Sequence, residues 1–288
     1  MDQRYIDLYN HYVHGGMERR GFLKRLGLLA GGTAAASAVL PLLENDMARA
    51  ETVPVDDPRL ITAIVDVPGV AGLQGYLARP VGNARLPAIL VIHENRGLNA
   101  HIRDVTRRVA LAGNVALGLD YLTPVGGTPE NSDEATAKFR ELTPEGVLAS
   151  GQAALNYLEA RPDATGKVGA VGFCWGGGQV NNLAANATGL DAGVAYYGGQ
   201  QPAERVASIQ APLMLQYAGL DERINAGIAA YEAALRASGK TFETHIYPDV
   251  NHGFNNDTNL ARFNQAAADL AWSRSLAFFQ THLGQGPA

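Results

Sequence analysis

Cysteine is nearly missing from this chain: Cys174 is the single thiol in 288 residues. An intramolecular disulfide is therefore impossible, and a four-thiolate zinc or iron–sulfur site cannot be built within one copy. The seven histidines, at positions 11, 14, 93, 101, 245, 252 and 282, form no HExxH and no Cys/His ligand spacing, so a histidine-based metal site has no support in the sequence. Clustered positive charge is also missing. Six of the 23 Lys and Arg and five of the 28 Asp and Glu lie in the first 50 residues, leaving 17 basic against 23 acidic groups in residues 51–288. A mildly acidic body excludes nucleic acid as the main partner, because binding phosphate backbones relies on clustered Lys and Arg. No internal repeat, low-complexity block or linker interrupts residues 51–288. With 47% hydrophobic and 18% charged residues, one sizeable globular domain is expected.

The N-terminus carries a pattern of its own. Arg19-Arg20-Gly21-Phe22-Leu23-Lys24 opens onto an uncharged stretch, 26–43, rich in Ala, Gly and Leu, and Ala48-Arg49-Ala50 follows as an A-x-A site. Gly31, Gly32 and Pro41 interrupt the apolar run, which falls short of about 20 strongly apolar residues, so no stable membrane anchor is expected. Residues 1–50 read as a twin-arginine export signal, with Glu18 where Ser or Thr is usual; the alternative is an uncleaved amphipathic helix. The implied partner is the twin-arginine export machinery, and the implied location is periplasmic or secreted. A lone thiol there calls for burial or a use, because unpaired surface thiols oxidise.

From residue 51 on, short apolar runs alternate with helical patterns, which reads as an α/β fold with a mostly parallel central sheet. Strands are expected at 61–67 and 72–79, as an antiparallel pair turned at Pro68-Gly69, and then at 86–93, 115–119, 167–172, 193–197, 213–218 and 242–247. Helices are expected at 101–112, 144–160, 175–186, 223–238 and 258–282. Function belongs at the carboxyl ends of such strands, and 121–143 is the expected cover over that edge.

Gly172-Phe173-Cys174-Trp175-Gly176 lies between a strand and a helix and fits G-x-nucleophile-x-G with Cys in place of Ser. The turn is sharp enough to strain the central residue, and the flanking glycines leave room for neighbouring backbone. A lone Cys is otherwise a small buried hydrophobe; here the helix N-terminus favours its thiolate. The remaining members of a triad follow in chain order at strand ends. Asp221 orients a histidine or caps a helix, with Asp249 as the substitute acid. His252, in the loop 248–254, moves the proton or is bonded to backbone. His93-Glu94-Asn95-Arg96-Gly97 follows the third strand, where the amides of Asn95 and Trp175 are candidates for an oxyanion hole.

With those pieces placed, the chain resembles the dienelactone hydrolase family of α/β-hydrolases over nearly all of residues 55–285. The resemblance rests on 91–98, on 169–177, on Tyr196-Tyr197-Gly198, on Asp221, and on Asn251-His252-Gly253-Phe254. It implies an α/β-hydrolase fold with helices on both faces and a Cys–His–Asp triad at Cys174, His252 and Asp221, with no cofactor. It also implies that Glu94 contacts the resting cysteine and takes part in its activation. On chemistry alone Glu94 could equally pair with Arg96 or Arg103, and a carboxylate beside the sulfur would hold it protonated. Two stretches depart from the family, in which arginines hold a substrate carboxylate: here they read Asp120-Tyr121-Leu122-Thr123 and Phe254-Asn255-Asn256. A neutral ester or lactone is then as suitable as an acidic one, with Tyr121, Thr123, Tyr197 and Asn256 as candidate substrate contacts, Trp175 beside them, and core packing as the ordinary role of the aromatics. The expected activity is cleavage of a small-molecule ester or lactone. The alternatives are a general carboxylesterase or thioesterase and a binding protein without turnover; a redox-sensing thiol lacks a resolving cysteine.

Overall fold

The computed structural model describes residues 1–46 and 49–284, so Ala48 of the A-x-A site lies outside the described residues. Eight strands form one sheet: β1 (Leu60–Asp66), β2 (Gln74–Pro80), β3 (Leu86–Ile92), β4 (Val115–Asp120), β5 (Ala164–Phe173), β6 (Ala192–Tyr196), β7 (Leu213–Ala218) and β8 (Phe242–Tyr247). Their order is β1-β2-β4-β3-β5-β6-β7-β8. β2 pairs antiparallel with both β1 and β4, and every pair from β4 to β8 is parallel.

Every residue of β3 and β4 is buried, which explains why those segments read as continuous apolar runs. Alternation is nonetheless present, because successive side chains feed opposite faces. Leu86, Ala88, Leu90 and Ile92 join one core cluster with α6 (Pro144–Glu159), α7 (Trp175–Asn186) and α10 (Ile228–Ala237). Ile89 and Val91 join the other with α4 (Ala100–Leu111) and α11 (Gln265–Leu283). Helices thus cover both faces, as the architecture requires.

Two expected helices differ. The segment 223–238 is two helices, α9 (Glu222–Asn225) and α10, parted at Gly227, where a Cβ would press on Gln200. The closing helix begins at Gln265 instead of 258, because the preceding turns bind elsewhere. Asn256 Oδ1 accepts from Thr258 N and Oγ1, Asn259 Nδ2 donates to Leu43 O at 2.6 Å, and Asn264 caps α11 by accepting from Ala267 N. Two short helices were not anticipated: α5 (Ser132–Lys138), inside the expected cover, and α8 (Ala203–Val206).

The N-terminal segment is three helices, α1 (Gln3–Val13), α2 (Arg19–Ala30) and α3 (Thr33–Leu43). They share a small core of Ile6, Tyr9, Val13, Phe22, Leu26, Ala36 and Leu43. Among the described residues no single helix is long and apolar enough to cross a membrane; α2 and α3 pass that test only together, across a bend of 114°. Polar contacts join the segment to the body. Tyr12 Oη donates to Asp133 at 2.6 Å, Arg19 pairs with Asp133, Arg96 Nη2 donates to Tyr9 Oη at 3.1 Å, and Arg262 Nη1 donates to Asn10 Oδ1 at 3.2 Å.

Where the segment enters the body, Asp104 of α4 is fully buried and accepts from Thr52 N, Val53 N, Arg107 Nη2 and Arg108 Nε. Removing the shared acceptor leaves two arginines and two amides without it. Asp104→Ala should therefore lower stability by about 3–5 kcal/mol, read as a fall in the urea midpoint; an unchanged midpoint would contradict this role.

Candidate active site

The turn between β5 and α7 decides where chemistry is possible. Cys174 has φ 56° and ψ −114°, a conformation that L-residues adopt only when their surroundings enforce it. The enforcement is backbone on backbone. A Cβ at Gly172 would overlap the Gly176 carbonyl, and one at Gly176 would overlap the Ile92 carbonyl. Cys174 N donates to Tyr196 O at 3.0 Å, tying the elbow to β6. The sulfur thus stands at the sheet edge at the start of α7, where the first amide, Trp175 N, has no acceptor inside the helix.

His252 and Asp221 reach this point from the ends of β8 and β7. His252 Nδ1 donates to Asp221 Oδ2 at 2.5 Å, while Asp221 Oδ1 accepts from Ile224 N at 3.3 Å. The two roles weighed for Asp221, orienting acid and helix cap, are thus taken by its two oxygens. Asp249 is exposed in the turn before His252, at φ 57°.

The third group at the sulfur comes from the N-terminal segment. His14 Nε2 lies 3.5 Å from Cys174 Sγ and 3.3 Å from His252 Nε2. Nothing in the sequence marked His14, because its segment has the composition of a removable signal. Burial alone would raise the Cys174 thiol, but the charge of His252 and the hydrogen bond with His14 outweigh it and bring the thiol down to about 5. Burial would likewise lower His252, yet the adjacent sulfur and Asp221 raise it to about 9. Burial opposes ionisation of Asp221, and its bond to His252 nevertheless keeps it below its ordinary value. Both shifts favour a thiolate and an imidazolium over the neutral pair.

Glu94 is buried and accepts from Asn256 Nδ2 at 2.8 Å. Its partner here is thus Asn256, in place of the arginines Arg96 and Arg103 considered for it. Asn95 donates through its side chain to Val13 O at 2.6 Å and borders the cavity.

A cavity of about 650 Å³ opens over the sulfur, bounded among others by His14, Asn95, Phe139, Trp175, Tyr197 and Arg223. Phe139 and Leu142 bring in the cover expected from 121–143. Of the four candidate substrate contacts, Tyr197 lines this cavity, its ring 4.9 Å from that of His252. The other three are held elsewhere. Tyr121 is core, packed edge-on against Trp175. Thr123 donates to Asp120 O and accepts from Gln74 N, and Asn256 is engaged by Glu94 and Thr258. Positive charge, expected to be missing, is supplied from other positions: Arg140 and Arg223 border the cavity and are exposed.

The ionised pair has a direct signature. Alkylation of Cys174 by iodoacetamide should stay fast down to about pH 5 and fall below it as the thiolate is protonated. An ordinary thiol would lose reactivity below about pH 8.5, and a rate still climbing through that range would contradict the lowered value.

Comparison with known proteins agrees with this architecture. The model of the Dienelactone hydrolase family matches residues 73–283, and a separate model, YqhI-like, matches residues 1–31. A Methylorubrum extorquens protein named "Putative carboxymethylenebutenolidase" is 31% identical over 266 residues, covering 87% of this chain and 89% of its own. Among solved structures, a "Putative Dienelactone Hydrolase" from Klebsiella pneumoniae has a TM-score of 0.67 and 29% identity, covering 76% of this chain and 98% of its own. A dienelactone hydrolase-like promiscuous phosphotriesterase from metagenomic libraries shares the fold, with a TM-score of 0.71 at 23% identity over 78% of this chain and all of its own (100%).

Proposed function

Because the chain belongs to the dienelactone hydrolase family, and is thereby a hydrolase, we propose that it cleaves a small ester or lactone with Cys174 as nucleophile, His252 as proton carrier and Asp221 as orienting acid. The observation that carries this reading is the 2.5 Å bond from His252 Nδ1 to Asp221 Oδ2 beside a sulfur held in the elbow conformation.

The thiolate attacks the carbonyl carbon, and the electron pair displaced onto oxygen is met by the amides of Asn95 and Trp175. The tetrahedral species collapses, the C–O bond breaks, and the leaving alkoxide takes the proton from His252 Nε2. His252, now neutral, draws a proton from water, whose oxygen attacks the thioester. The second collapse returns the thiolate and leaves His252 protonated. Asp221 keeps the proton on Nδ1 throughout, so that Nε2 always faces the reaction. No cofactor is called for. Arg140 and Arg223 at the cavity edge favour acidic lactones, while Phe139, Trp175 and Tyr197 suit neutral esters; a general carboxylesterase or thioesterase is the reading that the aromatic wall supports.

Hydrolysis of cis- and trans-dienelactone, short p-nitrophenyl esters and acyl thioesters should vanish in Cys174→Ala. It should fall on the order of 10²- to 10⁴-fold in Asp221→Asn, which removes the oriented tautomer. Turnover that survives Cys174→Ala would reject the cysteine mechanism.

The twin arginines carry a second part of the reading: export of the folded protein by the twin-arginine machinery to the periplasm or the exterior. Replacing Arg19 and Arg20 together by Lys should keep the chain in the cytoplasmic fraction; unchanged fractionation would remove this assignment.

A further inference from the structure

His14, Cys174 and His252 offer three ligand atoms within 4.8 Å of one another, and the chemistry of the two rings is settled by their far sides. His14 Nδ1 lies 2.6 Å from the carbonyl oxygen of Asn10, which can only accept, so the proton of a neutral His14 sits on Nδ1. His252 Nδ1 likewise donates to Asp221. In their neutral forms both rings therefore turn bare Nε2 lone pairs toward each other at 3.3 Å, with the sulfur 3.5 Å from one of them. Three electron-rich atoms at this spacing need something positive among them. In the metal-free protein, protons fill that place.

We propose that the full-length chain also binds one divalent cation of zinc type here, through His14 Nε2, His252 Nε2 and the Cys174 thiolate. The spacing suits it. A tetrahedral zinc with Zn–N near 2.0 Å and Zn–S near 2.3 Å has ligand edges of about 3.3 Å between nitrogens and about 3.5 Å between nitrogen and sulfur. The observed edges are 3.3 and 3.5 Å, and the Cys174–His252 edge lies within 4.8 Å. Each imidazole has the outer partner that metal-bound histidines use to fix their tautomer: a backbone carbonyl for His14 and a carboxylate for His252. One thiolate with two imidazoles selects borderline-soft ions such as zinc over magnesium or calcium. The fourth position faces the cavity, since His14 and Cys174 both border it, leaving room for a water.

Binding displaces the proton otherwise shared by Cys174 and His252, forms Zn–S and two Zn–N bonds, and engages the lone pair that would attack carbonyl carbon. The bound form holds the nucleophile in reserve, and a chelator returns it. Site and inhibition both depend on His14 and so exist only while the N-terminal segment is present. The sequence lacks any ligand spacing for this site because 160 residues separate His14 from Cys174.

The test uses the full-length protein stripped of metal and titrated with Co²⁺, followed by absorbance without substrate, so that failure of the hydrolase reading and failure of this one are separate results. The expected spectrum has a near-ultraviolet thiolate-to-cobalt band and an intense visible band of tetrahedral cobalt, saturating at one equivalent and displaced by Zn²⁺. Cys174→Ser should lose the near-ultraviolet band. His14→Gln, which keeps the reach of the side chain but replaces the imidazole by a weakly ligating amide, should weaken binding on the order of 100-fold, at the upper end of what loss of an outer partner alone costs. A cobalt adduct without the thiolate band would overturn the proposal. So would equal affinities for the wild type and His14→Gln.

Discussion

The close approach of bare backbone at the end of the central strands is the constraint on which everything else rests. Gly172 lies against the carbonyl of Gly176, Gly176 against that of Ile92, and Gly177 against that of Tyr196, so β3, β5, β6 and α7 meet without an intervening side chain. That contact forces Cys174 to φ 56° at a cost of order 1–3 kcal/mol. The cost is sustained because two fully buried strands and helices on both faces over-determine the turn. Relaxing it would withdraw the sulfur from His14 and His252.

Electrostatics at the edge follows from that placement. Asp221 serves two masters, one oxygen capping α9 and the other holding His252, so the acid cannot swing away without uncapping a helix. Tyr197, at φ 38°, brings its ring against His252 and closes the site from the β6 side. Glu94 and Asn256 bond each other, and Asn256 in turn anchors the turn that starts at Thr258. The loop after β3 and the loop after β8 are thereby tied together.

Much of this was legible in the sequence. The parallel strands, the elbow, and the loops bearing Asp221 and His252 carry local signals: apolar runs of the right length, glycines at required spacing, polar residues at strand ends. Which of the candidate side chains borders the cavity was not, because Thr123 and Tyr121 differ from Tyr197 only in which way a turn aims them. Charge at the cavity has a related origin: the two stretches where the family places arginines lack them, and Arg140 and Arg223 come instead from the cover and from α9. His14 was beyond reach, since an apolar, glycine-broken segment reads the same whether it leaves the protein or folds back on it. The break at Gly227 and the late start of α11 depend on Gln200 and Leu43, partners that only the assembled fold supplies.

Arg19, the first of the twin arginines, pairs with Asp133 at the start of α5 and also with Glu44, and the helix it begins contributes Phe22 and Leu26 to the small N-terminal core. Arg19 is thus a clasp on the outside of a segment whose first helix ends beside His14, the residue that reaches the sulfur. Loosening that clasp would be felt at Cys174 although neither Arg19 nor its two carboxylate partners border the cavity.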